Sequence, residues 1–112
     1  MQLLFLVIKR VELLDEVMVA LAQAGVRGGT SIDSVGMAKS ISDSDSLAAI
    51  GLLNTILKGS DPAQKGKTVF VAVDDDLVEG AIAAIKKVTG DLSKPNAGVL
   101  FTVPISYAEG IN

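Results

Sequence analysis

Apolar residues recur along this chain in two rhythms, and the order of the rhythms repeats. Leu3-Leu4-Phe5-Leu6-Val7-Ile8 is a continuous apolar run. It is followed by Leu14, Val17, Met18 and Leu21 at helical spacing. At an offset of 64 residues, Lys67-Thr68-Val69-Phe70-Val71-Ala72 precedes Val78, Ala81, Ile82 and Ile85. Short apolar runs predict buried strands, and the i, i+3, i+4, i+7 spacing predicts helices with one apolar face. Each helical pattern runs to a glycine, Gly25 or Gly90, the residue suited to the left-handed position past a helix end. Another apolar stretch follows each glycine, so the chain reads strand–helix–strand, twice.

That order predicts an α+β domain, the ferredoxin-like βαββαβ sandwich built from two split β-α-β units. The first helix is expected to start near Glu12 or Leu13, with Asp15 and Glu16 in its first turns, where the helix dipole favours negative charge. Val26-Arg27-Gly28-Gly29 turns the chain into a second strand over Thr30–Val35, and Thr68–Val73 is the third. One of Asp74, Asp75 and Asp76 is expected to cap the second helix, and Lys86 and Lys87 suit its last turns. Gly80 lies inside that helix, off the apolar stripe, at a cost of roughly 1 kcal/mol against alanine. Asp91–Gly98 forms a loop, and Val99–Val103 is the last strand. Pro104 cannot donate to a sheet ladder, so it marks an end or an edge. The polar tail Tyr107–Asn112 is expected to run over the surface.

The repeat breaks in the middle. Gly36 and Lys67 are separated by 30 residues, where a hairpin needs only about two to five. Ser40–Ser46 is small, polar and acidic, and so is expected to be flexible. Leu47–Leu57 is largely apolar and could form a short helix capped by Ser46 and closed by Gly59. It lacks the basic face of a membrane-surface helix, so a subunit interface or folded lid is the better reading.

Composition narrows the function. One domain of 112 residues has a core of Leu, Ile, Val and Ala, since 49% of residues are hydrophobic and only 4% aromatic. The net charge of −3 argues against a nucleic-acid surface, which needs a basic stripe. Neither cysteine nor histidine is present. That removes disulfides, thiolate chemistry, the usual zinc ligands and the commonest general base. No apolar run approaches the ~20 residues that span a bilayer. Leu3–Ile8 is too short for a signal-peptide core and its charges follow it, so a cytoplasmic location is expected.

Four motifs are candidates for chemistry. Gly66-Lys67-Thr68 ends like a phosphate-binding P-loop, but the glycine spacing fails and a strand follows instead of a helix. Asp74-Asp75-Asp76 could bind Mg²⁺, although capping explains it without a metal. Gly28-Gly29-Thr30 and Gly36 flank the second strand, where free backbone N–H groups could cradle an anion or simply form turns. Thr89-Gly90-Asp91-Leu92-Ser93-Lys94-Pro95 is the most site-like stretch. Its N–H groups and Lys94 could hold a phosphate, or it is an ordinary connector.

Several stretches together resemble the PII nitrogen-regulatory proteins. They are Leu6-Val7-Ile8-Lys9, Leu13–Val17, Ala20–Gly28, Val73–Leu77 and Val88-Thr89-Gly90, and they span most of the chain outside the insert. With Asp33–Met37, Gly90–Pro95 and Phe101–Pro104, the chain looks like a divergent PII-like branch. The resemblance implies a homotrimer with ligand sites between subunits. It maps those sites to Gly28, Gly29 and Thr30, to Gly36, Met37 and Ala38, and to Thr89, Gly90, Asp91, Leu92, Ser93 and Lys94. It also implies that residues 39–66 form the mobile loop that docks on a target protein. The chain departs from the family in four respects. The family follows Thr-Gly with a short glycine-rich loop ending in lysine, whereas Asp91–Gly98 is longer and holds Lys94 and Pro95 instead. Ile105–Asn112 carries no basic residue, the loop-base glutamine is not evident in Met37-Ala38-Lys39-Ser40, and Tyr107 is the only tyrosine, so the uridylylated one is missing.

The expected function is a non-enzymatic signalling protein without covalent cofactor. It would bind a small anionic effector, such as ATP, ADP or AMP, between subunits and act on a partner through residues 39–66. Gly28, Gly29 and Gly90 would offer N–H groups and Lys94 the local positive charge. The alternative is a ligand-independent trimeric interaction module. An enzyme is the third class, and no spacing places a reactive group beside Arg10 or Arg27.

Overall fold

The computed structural model describes residues 1–42, 66–94 and 97–111. Strand β1 (Gln2–Ile8) leads through a short 3₁₀ turn, Val11–Leu13, into helix α1 (Leu14–Gln23). Strand β2 (Thr30–Ser34) and helix α2 (Met37–Ser42) follow. Strand β3 (Gly66–Val73), a second 3₁₀ turn (Asp75–Leu77), helix α3 (Val78–Thr89) and strand β4 (Val99–Pro104) complete the order. Leu47–Leu57 and Pro95 lie outside the described residues, as do the expected Ser46 and Gly59 caps.

The four strands form one antiparallel sheet in the order β2-β3-β1-β4. β1 pairs with β3 from Gln2↔Val73 to Ile8↔Lys67, and with β4 from Gln2↔Pro104 to Val7↔Val99. β2 pairs with β3 from Thr30↔Phe70 to Ser34↔Gly66. Thus β1 and β2 run parallel with β3 between them, and β3 and β4 run parallel with β1 between them. Both strand–helix–strand units of the sequence are split in this way. The run Leu3–Ile8 is continuous because β1 is central and apolar on both faces.

One face of the sheet carries α1 and α3. Leu4, Leu6, Ile8, Val69, Val71 and Val73 project beneath Val17, Leu21, Ala81 and Ile85, and together they form the core. Burying each larger aliphatic side chain is worth about 1.5–3 kcal/mol. The other face has no helix over it among the described residues. Phe5 lies at its centre, stacked on Phe101 with ring centroids 5.0 Å apart and tilted against Phe70 at 6.1 Å. Ile32, Val99, Phe101 and Val103 are exposed there. β4 is an edge strand, and its sequence Val-Leu-Phe-Thr-Val-Pro contains no charged residue.

Four local details differ from the sequence reading. β2 ends at Ser34, one residue early, where the chain leaves the ladder for α2. Ser40–Ser42 are helical, because Met37 and Ala38 start a helix in which the Ser40 amide donates to the Gly36 carbonyl (3.0 Å). β3 begins already at Gly66, where a Cβ would stand 2.9 Å from the Ile8 carbonyl oxygen. Asp74 takes the extended backbone of a cap but makes no side-chain cap bond. Its carbonyl accepts from the Leu77 amide instead (2.9 Å), as a 3₁₀ turn requires. Asp75 and Asp76 still place negative charge at this helix start.

Candidate functional site

The sequence-predicted site residues fall into three groups. Gly28, Gly29 and Thr30 enter β2 at the level of Phe70 and Val71. A Cβ on Gly29 would stand 2.5 Å from Val71 Cγ1, so this glycine is required by packing across the sheet. Gly28 has open space around it. Gly36, Met37 and Ala38 lie at the other end of β2, where Met37 is exposed and opens α2. Across the same end of β2 and β3, Lys67 forms an ion pair with Asp33, its register partner.

The third group, Thr89–Lys94, leaves the C-terminus of α3. Thr89 is buried, and its hydroxyl donates to the Gly90 carbonyl (3.2 Å). Gly90 adopts a positive φ of 76° and donates its N–H to the Lys86 carbonyl (2.9 Å). The Gly90 N–H, expected as an anion donor, is engaged here in closing the helix. The next amides are also engaged. Ser93 N–H and Oγ both donate to Asp91 Oδ1, at 2.9 and 2.7 Å, and Lys94 N–H donates to the Asp91 carbonyl at 3.3 Å. The Ser93 hydroxyl, then its amide, holds the Asp91 carboxyl below the ordinary carboxylate value, with Lys86 adding to the effect. This is a self-bonded Asx turn.

Leu92 closes one end of a groove of about 520 Å³ alongside β4, lined also by Ile82, Lys86, Leu100 and Thr102. A larger groove, about 660 Å³, runs between α1 and α3 past Val19, Ala20, Ala24, Gly80 and Ala84. It holds none of the predicted site residues. Its charged rim is Asp15, Glu16 and Lys87, a poor match to an anion.

Register fixes how the groups relate. Ser34 lies beside Gly66, and Val99 beside Val7, so the start of α2 and the 89–98 loop share one end of the sheet. They stand at opposite edges, β2 and β4, about 14 Å apart across three strand spacings. Gly28–Thr30 is a further four residues along β2. A single chain does not bring the groups around one small ligand.

Sequence reading missed Arg10. It follows β1 at this same end, and its guanidinium donates to the Thr89 carbonyl at 2.6 Å, joining residues 79 apart. Its spacing gave no signal, because the contact depends on how the end of α3 meets the end of β1. Among the described residues there is no cluster of three or more potential metal ligands, so Asp74-Asp75-Asp76 does not form one. No described helix is long and apolar enough to cross a membrane.

No protein-family model matches the chain, and no curated protein matches it at a significant level.

Proposed function

We propose that the chain is a PII-like, ferredoxin-like regulatory protein. It assembles as a homotrimer, binds a small anionic effector such as an adenine nucleotide between copies, and acts on a partner protein through residues 39–66. The observation that carries this reading is the division of the candidate site between two sheet edges at one end. A neighbouring copy whose β2 edge meets this chain's β4 edge brings Gly36–Ala38 of one chain to the Thr89–Lys94 loop of the other. Closed into a ring, such contacts would bring the apolar face around Phe5, Phe70 and Phe101, which no described helix covers, toward the neighbouring copies. Such an edge-to-edge contact is heterologous and closes into a ring when the rotation allows. The partner-docking role of residues 39–66 rests on the PII resemblance.

The test is light-scattering mass in solution combined with calorimetric titration of ATP, ADP and AMP. A trimer that binds one of them below millimolar concentration supports the reading, and a monomer refutes it. One observation favours the second reading, a ligand-independent interaction module: the amides of Gly90, Ser93 and Lys94 are already bonded within the chain. A trimer that binds no nucleotide selects that alternative.

A further inference from the structure

The amides of Gly90, Ser93 and Lys94 are already bonded within the chain, and the tail from Ile105 onward carries no basic side chain. These three amides and the tail therefore do not supply the positive charge an anion requires at this loop. We propose that Arg10 supplies it, as the phosphate-contacting residue of the effector site; this deepens the reading above and rests on it.

Arg10 is suited by position. It caps the first 3₁₀ turn, where the Leu13 amide donates to its carbonyl (3.0 Å), so its backbone is fixed at the end of β1. Its side chain crosses to the C-terminus of α3 and donates one N–H to the Thr89 carbonyl. A guanidinium has five N–H donors in a planar fork. Holding one on Thr89 orients the others beside Gly90 without consuming them. Arg10 is exposed, so an incoming phosphate oxygen can reach the fork. The negative end of the α3 dipole also favours the cation here before any ligand arrives. Lys94 is exposed on the same loop and adds a second, mobile charge. By contrast, Lys67 is paired with Asp33 at the other edge. Arginine is the side chain best matched to bidentate phosphate recognition.

The test compares wild type with Arg10→Gln, Arg10→Ala, Arg10→Lys and Lys87→Gln, each checked for fold by circular dichroism. Lys87 is exposed on α3 outside the candidate site and controls for loss of one charge. Calorimetry uses ATP and, separately, inorganic tripolyphosphate. Losing a charge-assisted hydrogen bond pair at Arg10→Gln should weaken binding about tenfold or more. Arg10→Lys should lose less, Lys87→Gln less than twofold, and the salt dependence of affinity should flatten in Arg10→Gln only. Arg10→Ala keeps the test decisive if Arg10→Gln fails to fold: affinity and salt dependence equal to wild type in Arg10→Ala would overturn the proposal. ATP binding that is the same in wild type and Arg10→Gln overturns the role of Arg10 and leaves the regulatory reading standing. Tripolyphosphate binding that depends on Arg10, with no ATP binding, supports Arg10 and refutes the nucleotide reading. Absence of binding by either probe overturns both.

Discussion

Gly98→Ala is the substitution from which the largest loss of stability is expected. Gly98 joins the 89–98 loop to β4 with a φ of +126°, outside the range that side chains readily adopt. A Cβ there would stand 2.4 Å from the Val7 carbonyl oxygen and 3.6 Å from Ile8 Cα, against an unstrained separation of about 3.5 Å. Val7 cannot retreat, since it is registered with Thr68 on one side and Val99 on the other. The backbone conformation costs roughly 1–3 kcal/mol, and the overlap about the same again. A loss of about 3 kcal/mol is a large share of the 5–15 kcal/mol that stabilises a typical domain. It corresponds to a fall in Tm of roughly 12 °C for a chain of this size. Urea unfolding should be followed at one fixed chain concentration, since the proposed assembly would make the midpoint depend on it. A Gly98→Ala midpoint within about 0.5 kcal/mol of wild type would show that β1 yields, and the argument from close approach would be wrong.

Gly80→Ala should act in the opposite direction. Nothing lies within 4 Å of its Cβ position, so helix propensity predicts a gain of about 1 kcal/mol, read from the same unfolding curves. Phe101→Asp, on the exposed sheet face beside Phe5, should lower the mass in solution; an unchanged trimer would remove that face from the interface. The Asp91 turn should depend on pH. Its folded pKa is lowered, so its contribution is complete above the unfolded value of about 3.9 and is lost as pH falls through the lower folded value. Acid titration of the Ser93 amide resonance should report this transition in wild type and lose it in Asp91→Asn.

The scaffold was legible because its signals are local. Short apolar runs, period-3.6 patterns, Gly25 and Gly90 appear within short windows and agree with one another. Pro104 was likewise readable as a strand end, and it is the last residue of the edge strand β4. The site was less legible because its chemistry is decided at long range. Gly29 looks like a ligand-facing glycine, yet Val71 across the sheet explains it. The Gly90 amide looks available until the end of α3 takes it. Arg10 and Thr89 meet only after both strand–helix–strand units have folded. Asp74 shows the same limit on a smaller scale, since three adjacent aspartates suggest a side-chain cap that the 3₁₀ turn replaces with a backbone bond.

The uncharged edge strand Val99–Pro104 has a consequence for the life of the newly made chain. Edges that stay exposed are usually guarded by lysine, inward charges or bulges, and among the described residues this one carries a terminal proline and no charge. An isolated protomer would present a template for indiscriminate strand addition by any extended chain nearby. In the homotrimer proposed above a neighbouring copy closes this edge, and dilution would prolong the time it stays open. On the proposed assembly, a variant that cannot trimerise should deposit more insoluble protein than wild type at the same expression level.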